Sequence, residues 1–270
     1  MRTFQLSPLP VLRPFVDRLW GWEGEAGEVV ALPTVLPGTG AELYFHYGEP
    51  FAWDDSADGF RPAEAGHLFC QRRRSLQLRS SSGLGFIAVR FRIGMIHRFT
   101  GAPGRELHDG SHSVADLWGA EGRALLGRLS YATGRDERVA LIQRFLIENL
   151  RRDACDAVVE AGMALLYRHA GALSVDALAA RLYLGRRQLE RRFLAVTGQT
   201  PGEVKGLCRF QHVVRDLVLD AAARPAGAAV ARGYYDQAHF NRDFRARVGC
   251  APGEYLQRAR AGTHFYNTQI

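Results

Sequence analysis

The chain is poor in lysine and in long apolar runs, and each shortage excludes a class of protein. It has one lysine, Lys205, against 34 arginines. No glycine-rich loop carries the lysine that a phosphate-cradling nucleotide site needs. No run approaches the roughly 18 consecutive apolar residues of a transmembrane helix. The N-terminal residues also lack the apolar stretch of a signal peptide. We therefore expect a cytoplasmic protein with no membrane partner.

Cysteine is also scarce, and its spacing argues against metal and disulfide chemistry. The four cysteines are separated by 85, 53 and 42 residues, which matches neither a zinc site nor a disulfide framework. None has the context that would activate a thiol, as an alkyl-accepting repair protein would require. Cys208 falls in an apolar helical pattern and is expected in a core. We predict no metal and no cofactor. The four are Cys70, Cys155, Cys208 and Cys250.

Catalytic motifs are missing as well. The histidines of the first half form no close His-x-His pair with a downstream glutamate, the arrangement expected of a cupin-type metal site. There is no Gly-x-Ser-x-Gly nucleophile elbow. We therefore predict that the protein is not an enzyme and has no catalytic residues. The histidines considered are His46, His67, His97, His108 and His112.

Charge is distributed unevenly along the chain. The first 150 residues hold 17 arginines and 17 acidic residues. The remaining residues hold 17 arginines, Lys205 and 11 acidic residues, so the whole net charge of +7 lies in the second part. Such asymmetry favours a polyanionic partner, because phosphate neutralisation supplies most of the non-specific affinity for nucleic acid. A solvated basic face is the alternative.

The length of 270 residues predicts two domains, at 1–152 and 153–262. Short apolar or alternating runs up to about residue 101 are broken by glycine, proline and aspartate. They predict an antiparallel β barrel or sandwich. From about 114 to 152 apolar residues recur every three or four positions, which predicts two helices. The second domain reads as all-α, with about seven helices. The fold class is therefore α+β.

The first domain concentrates aromatic residues and one basic run. Most of the aromatic side chains are expected in the domain core, but some could line a pocket for a small-molecule effector, because small barrels hold ligands in their mouths. The run Arg72–Arg74 could be an anion handle, although a solvated hairpin loop is the favoured interpretation. The candidate pocket residues are Trp20, Trp22, Tyr44, Phe45 and Tyr47.

Two segments of the second domain repeat one pattern about 51 residues apart. In each, an inward-facing residue is followed two places later by arginine and two places later again by phenylalanine: Leu189, Arg191 and Phe193, then Phe240, Arg242 and Phe244. Each segment follows a shorter apolar helix, as in a helix-turn-helix. A helix over 201–219 separates the two units. At about 1.5 Å per residue it is roughly 28 Å long, close to the roughly 34 Å between successive major-groove faces of B-DNA.

Residues 156–258 resemble the DNA-binding region of the AraC family of bacterial transcription regulators. The resemblance rests on the double helix-turn-helix, the linker helix, and the stretch Gly-Tyr-x-Asp-x-Ala-His-Phe-x-Arg-x-Phe over 233–244. The first domain resembles a sensor domain found with this region, through 36–38, 88–92 and 106–109. The resemblance implies a sequence-specific regulator that binds double-stranded DNA. It also suggests a homodimer, a small-molecule effector and contact with RNA polymerase.

The resemblance assigns roles to both reading helices. Arg191 and Arg242 are the strongest candidates, because arginine can make two hydrogen bonds to guanine. Glu190 could accept from cytosine or pair with Arg186 one helical turn earlier. Arg192 is expected to point toward the scaffold. The base-facing candidates are Arg187, Glu190, Arg191, Ala238, His239 and Arg242; the backbone-contacting candidates are Arg186, Gln188 and Asn241.

The chain also departs from the family pattern. Gly185 stands where the family usually has a serine N-cap. The second scaffold helix begins with the weak segment 225–227, and Arg232 occupies a position where an apolar residue usually packs. The second unit is therefore expected to be the less stable. A different class stays open: a β-barrel enzyme or ligand-binding protein whose helical half is a protein-interaction module. Salt-dependent affinity for duplex DNA would separate the two.

Overall fold

β-Strands dominate the chain up to residue 113. The computed structural model describes residues 2–25, 27–28, 31–54, 59–80, 82–169 and 172–261. The strands are β1 Arg2–Leu6, β2 Val16–Glu23, β3 Glu42–His46, β4 Ala52–Asp54, β5 Arg61–Pro62, β6 Gly66–Phe69, β7 Gln77–Arg79, β8 Gly85–Phe91 and β9 Ser111–Ser113. They form a six-stranded antiparallel sheet in the order β1-β2-β8-β3-β6-β9 and a three-stranded sheet in the order β5-β4-β7. The predicted antiparallel first domain is confirmed.

The central strand β3 is buried on both faces of the larger sheet. Leu43 and Phe45 belong to the core under the helices, whereas Tyr44 lies in the aromatic core facing the smaller sheet. This alternation follows from the two-residue period of a strand. It explains why the sequence of β3 is apolar at successive positions. The first domain therefore has three layers: helices, the larger sheet and the smaller sheet.

Two helices, α1 Val114–Tyr131 and α2 Arg135–Glu148, cover the outer face of the larger sheet. Leu125 and Phe145 are buried there. The Ser113 hydroxyl accepts from the backbone N–H of Ala115 and caps α1. α1 is kinked at Gly119, whose φ of 55° is accessible to glycine at little cost.

Seven helices follow in the part of the chain that the structure describes, as the sequence predicts. They are α3 Ala157–Arg168, α4 Val175–Arg181, α5 Arg186–Thr197, α6 Pro201–Leu219, α7 Pro225–Ala231, α8 Gln237–Val248 and α9 Pro252–Ala261. Side chains of Asp156, Ser174, Thr200 and Asp236 cap four of them, and Thr200 forms a full capping box with Glu203. No helix in the described part of the chain is long and apolar enough to cross a lipid bilayer.

The linker helix α6 contributes to two separate cores. Val204 and Cys208 pack with α3, α4 and α5, and Phe210 and Val214 pack with α7, α8 and α9. Cys208 is completely buried, which confirms the expectation that it is a core residue. One helix therefore joins the two helix-turn-helix units, whose cores stay separate.

The two domains are joined by polar and apolar contacts. Leu36 packs into the core of the second unit. Gln211 of α6 accepts hydrogen bonds from the backbone N–H and the hydroxyl of Thr39, at 3.2 and 2.9 Å. Arg98 donates twice to Glu160 of α3, at 2.6 and 3.1 Å. The first domain thus contacts both helical units.

Candidate nucleic-acid interface

The first helix-turn-helix consists of α4, a turn and α5. Leu189 and Phe193 are completely buried, so this face of α5 holds the helix on its scaffold. Because residues three and four apart share a helix face, Arg187 and Arg191 lie together on the opposite face, where both are exposed. The turn contains Tyr183, which has a φ of 55° and a 94% exposed side chain. The outward face of α5 is therefore basic and accessible.

Arg186 is engaged within the unit. Its Nε lies 3.0 Å from Oε1 of Glu190, and its Nη1 lies 3.2 Å from Oδ1 of Asp176. The hydrogen bond that Arg186 donates to Glu190 and the charge of Asp176 raise the pKa of Arg186. Of the two interpretations of Glu190, the structure contains the intrahelical pair with Arg186.

Arg192 points away from the exposed face of α5, as its position predicted. It donates to both carboxylate oxygens of Asp156, at 2.9 and 2.8 Å. Asp156 also accepts from the backbone N–H of Val159 and is the N-cap of α3. Arg192 therefore fastens α5 to α3 and is not available to a groove.

The second unit consists of α7, a turn and α8, and it repeats the arrangement. Phe240 and Phe244 are buried, while Ala238 and Arg242 are exposed on the opposite face. Asp236 caps α8 by accepting from the backbone N–H of His239 at 2.6 Å. Arg191 and Arg242 therefore occupy equivalent positions, each six residues after the N-cap residue of its helix.

Two predicted contact residues of α8 are partly covered. The His239 ring packs edge-on against Tyr234, with ring centroids 5.2 Å apart. Tyr234 is buried and donates its hydroxyl proton to Asp243. Asn241 is half-buried, whereas Gln188 of the first unit is exposed.

Exposed tyrosines in the two turns were missed by the sequence interpretation. Tyr183 is 94% exposed and Tyr235 is 89% exposed, each one or two positions before the N-cap of a reading helix. The turn before α8 is one residue longer than the turn before α5, and Tyr235 occupies the additional place. The sequence contains a signal for these exposed side chains, because each tyrosine stands in a turn where the apolar helical period is interrupted.

The predicted effector-pocket residues divide between the two faces of the larger sheet. Trp20, Trp22 and Tyr44 lie in the aromatic core between the sheets. Phe45 lies in the opposite core, and Tyr47 packs against that same core with its hydroxyl 2.7 Å from Oε1 of Glu23. The structure brings together three of the five residues.

Two histidines that were not assigned to the pocket are found in the aromatic core. His46 and His67 stack with ring centroids 5.3 Å apart, and both are buried. Nδ1 of His67 lies 3.0 Å from the carbonyl oxygen of Glu64. Its Nε2 and both ring nitrogens of His46 have no hydrogen-bond partner in the described part of the protein. Burial lowers the pKa of His67 to about 4 and, together with the charge of His67, lowers that of His46 strongly.

The expectation of a solvated loop at Arg72–Arg74 is wrong for its first residue. Arg72 is 3% exposed, and its Nη2 lies 3.6 Å from Oε2 of the buried Glu42. Arg73 forms an ion pair with Asp109 at 2.6 Å. A cleft of about 640 Å³ between the domains lies beside this segment. Nowhere in the described ranges do three histidine, cysteine or acidic side chains gather as a metal site would require.

The fold and its two equivalent units define a DNA-binding protein of the double helix-turn-helix class. Residues 178–258 match the family described as "Helix-turn-helix domain", and residues 4–113 match "Domain of unknown function (DUF6597)". The second domain is of the AraC type, and the chain is a DNA-binding transcription regulator. The comparison with curated proteins finds no match.

Several solved structures are similar to the chain. A transcriptional regulator with an AraC-type DNA-binding domain from Chromobacterium violaceum is 24% identical over 40% of this chain and 95% of its own, with a TM-score of 0.36. The DNA-binding domain of AdpA in complex with a target DNA is 28% identical over 40% of this chain and 96% of its own, with a TM-score of 0.36. ToxT from Vibrio cholerae, bound to (E)-4-(8-methylnaphthalen-1-yl)but-3-enoic acid, is 11% identical over 95% of this chain and 99% of its own, with a TM-score of 0.49.

Proposed function

We propose that this regulator places α5 and α8 in two successive major grooves on one face of a DNA duplex. The observation that carries the proposal is the equivalent placement of Arg191 and Arg242. Each is exposed on the face of its helix opposite two buried anchoring residues. The 19-residue helix α6 joins the two units and is roughly 28 Å long, which suits the roughly 34 Å between groove faces.

Within this arrangement Arg191 and Arg242 each donate two hydrogen bonds to a guanine, a contact worth about 1–3 kcal/mol of discrimination. Arg187, Ala238 and His239 face neighbouring bases. Glu190 accepts from a cytosine only when it releases Arg186. Contacts to phosphate fix the register of the protein without reading sequence, and they are assigned to Arg186, Gln188 and Asn241.

The first domain is proposed to bind a small-molecule effector in its aromatic core, at Trp20, Trp22 and Tyr44. The unpartnered ring nitrogens of His46 and His67 support this location, because a polar group of a ligand would satisfy them. We further propose that the protein works in the cytoplasm as a homodimer, contacts RNA polymerase and has no enzymatic activity. The effector modulates DNA binding.

Selection from a randomised duplex pool by the full-length protein tests the reading helices. The wild-type chain should enrich a two-part site. Arg191→Ala should relax the sequence of one part and Arg242→Ala that of the other. Arg192→Ala is the matched control, because it removes the same charge from α5 on the side that faces Asp156. It should leave both sequence preferences intact.

The salt dependence of binding separates this proposal from a protein-interaction module. A DNA-binding domain loses affinity steeply as salt rises, because the counterions that binding releases from the duplex gain less entropy in a more concentrated salt solution. If the folded protein shows no saturable affinity for any duplex at low salt, the helical domain is a protein-interaction module instead.

A further inference from the structure

The C-terminal end of the first reading helix is covered by the first domain. The last carbonyl groups of a helix have no partner within it and must find one elsewhere. The carbonyl oxygen of Thr197, the last residue of α5, accepts a hydrogen bond from Nε2 of His108. Beside it, a Cβ added to Gly104 would lie 2.4 Å from the carbonyl oxygen of Val196, and one added to Gly198 would lie 2.4 Å from the backbone nitrogen of Arg105. Two glycines thus allow the backbones of the two domains to touch.

The C-terminal end of the second reading helix is covered in the same way. The backbone N–H of Ser75 donates to the carbonyl oxygen of Arg247 at 2.9 Å. The Ser75 hydroxyl lies 3.4 Å from the carbonyl oxygen of Val248, the last residue of α8. One domain therefore supplies caps to both reading helices.

The two capping loops are tied to each other. Arg73 donates its backbone N–H to Oδ1 of Asp109 and its Nε to Oδ2, both at 2.6 Å. The backbone N–H of Asp109 donates to the carbonyl oxygen of Gln71 at 3.2 Å. Asp109 has a φ of 50°, a conformation that aspartate and asparagine tolerate better than most residues. We call residues 71–75 and 104–109 together the brace.

We propose that the brace fixes the spacing and angle between the two reading helices, and that Ser75 and His108 are positioning residues for a two-part DNA site. This inference rests on the proposed function. α5 and α8 belong to different cores, and no hydrogen bond or ion pair joins them directly within the described residues. α6 joins the two units, and Leu36 and Arg98 join them to the first domain. The brace is the connection that reaches the C-terminal end of each reading helix.

Contacts also run from the aromatic core to the brace. The hydroxyl of Tyr44 lies 3.2 Å from Oε2 of Glu42. The same carboxylate holds Arg72, which precedes Arg73 in the chain. A ligand that displaces the Tyr44 ring therefore acts on the brace through two polar contacts. Because the brace caps both helices, such a change alters their spacing rather than the residues that read bases.

The test measures spacing preference with the full-length protein. Duplexes carry the two selected half-sites separated by the natural interval or by one base pair more or less. One added base pair moves a half-site by about 3.4 Å and rotates it by about 35°. The wild-type chain should prefer its natural interval by at least about fivefold, and Arg73→Ala and His108→Ala should reduce this preference below about twofold.

Matched variants separate positioning from a general loss of stability. His108→Gln should restore the preference, because its amide N–H can reach the same carbonyl. Arg74 lies within the same segment, but its side chain makes none of the hydrogen bonds or ion pairs described for the brace, so Arg74→Ala removes the same charge and should behave as wild type. Asp109→Asn keeps the turn but loses the ion pair, so it carries the test if Arg73→Ala fails to fold.

An unchanged spacing preference in folded Arg73→Ala and His108→Ala would overturn the brace while leaving the reading helices in place. If Arg73→Ala and His108→Ala instead bound the duplexes more tightly at every spacing, the proposal would also be overturned, because the brace contacts would then inhibit DNA binding. If the wild-type protein selects no two-part site, the proposed function fails, and the brace fails with it.

Discussion

Arg232 and Asp216 form a two-pronged ion pair between the end of α7 and the linker helix α6. Nε of Arg232 lies 2.8 Å from Oδ2 of Asp216, and Nη2 lies 3.1 Å from Oδ1. In the first unit the equivalent residue is Leu182, which packs against the core. The second unit thus replaces an apolar contact with a charged one, which explains how an arginine is accommodated at this position.

The pair should stabilise the second unit modestly. Both side chains are about one-third exposed, so we expect Asp216→Ala or Arg232→Ala to lower the free energy of unfolding by about 1 kcal/mol. The measurement is thermal unfolding of the full-length protein, followed by circular dichroism. In the protein with both Asp216→Ala and Arg232→Ala, the second substitution should lower the free energy of unfolding by little more than the first. Fully additive costs would show that the two side chains do not act on each other.

The N-cap of α5 can be improved. Gly185 has extended backbone angles, makes no side-chain cap, and has open space around an added Cβ. Gly185→Ser should therefore raise the free energy of unfolding by a few tenths of a kcal/mol, because a hydroxyl can accept from a free N–H of the first turn. Gly185→Ala is the control, since it adds a Cβ but no acceptor. Equal effects of the two substitutions would assign the gain to the backbone rather than to the cap.

Asp156 should contribute twice, as the N-cap of α3 and as the partner of Arg192. Asp156→Asn keeps an oxygen for the cap but loses the charge. It should lower the free energy of unfolding by about 1 kcal/mol. Asp156→Ala loses both the cap and the ion pair, and should lower the free energy of unfolding by about 2 kcal/mol. Chemical denaturation of the two variants measures the difference. An asparagine variant as unstable as the alanine variant would mean that the cap contributes nothing.

The buried histidines predict that the first domain is destabilised by mild acid. His67 has its pKa lowered by burial from 6.5 to about 4, so the unfolded chain takes up a proton first as the pH falls. The stabilisation is complete above pH 6.5, and about 2 kcal/mol of it is lost from His67 alone by pH 5. Fluorescence reports on this domain, because all four tryptophans lie in it.

His67→Phe should reduce this dependence between pH 7 and 5 and leave the part that comes from His46, whose pKa is also lowered by burial. Glu42 does not interfere in that window, because its pKa is lowered: the attraction of Arg90 and Arg72 outweighs burial, which acts in the opposite direction. Between pH 8 and 7.5 the free energy of unfolding should change with pH in nearly the same way for the wild type and for His67→Phe, because His67 is neutral there in both the folded and the unfolded chain. An equal acid slope in the variant would place the titrating group elsewhere.

Local signals allowed the helical domain to be predicted closely. The apolar periodicity of α5 and α8 acts within a few residues, so it can be followed along the chain. The first domain was predicted less well. The sequence does not show which face of β3 meets which layer, so Phe45 was grouped with Tyr44 although they point to opposite cores.

The sequence by itself determined the two repeated units, the exposed arginines at Arg191 and Arg242, and the class of partner, because periodicity and charge are properties of short segments. Only the tertiary structure decided that Arg72 is buried and that one brace from the first domain caps both reading helices. These contacts join residues as distant as Ser75 and Val248. Pairings over such distances depend on how the layers and helices pack, which no local pattern records.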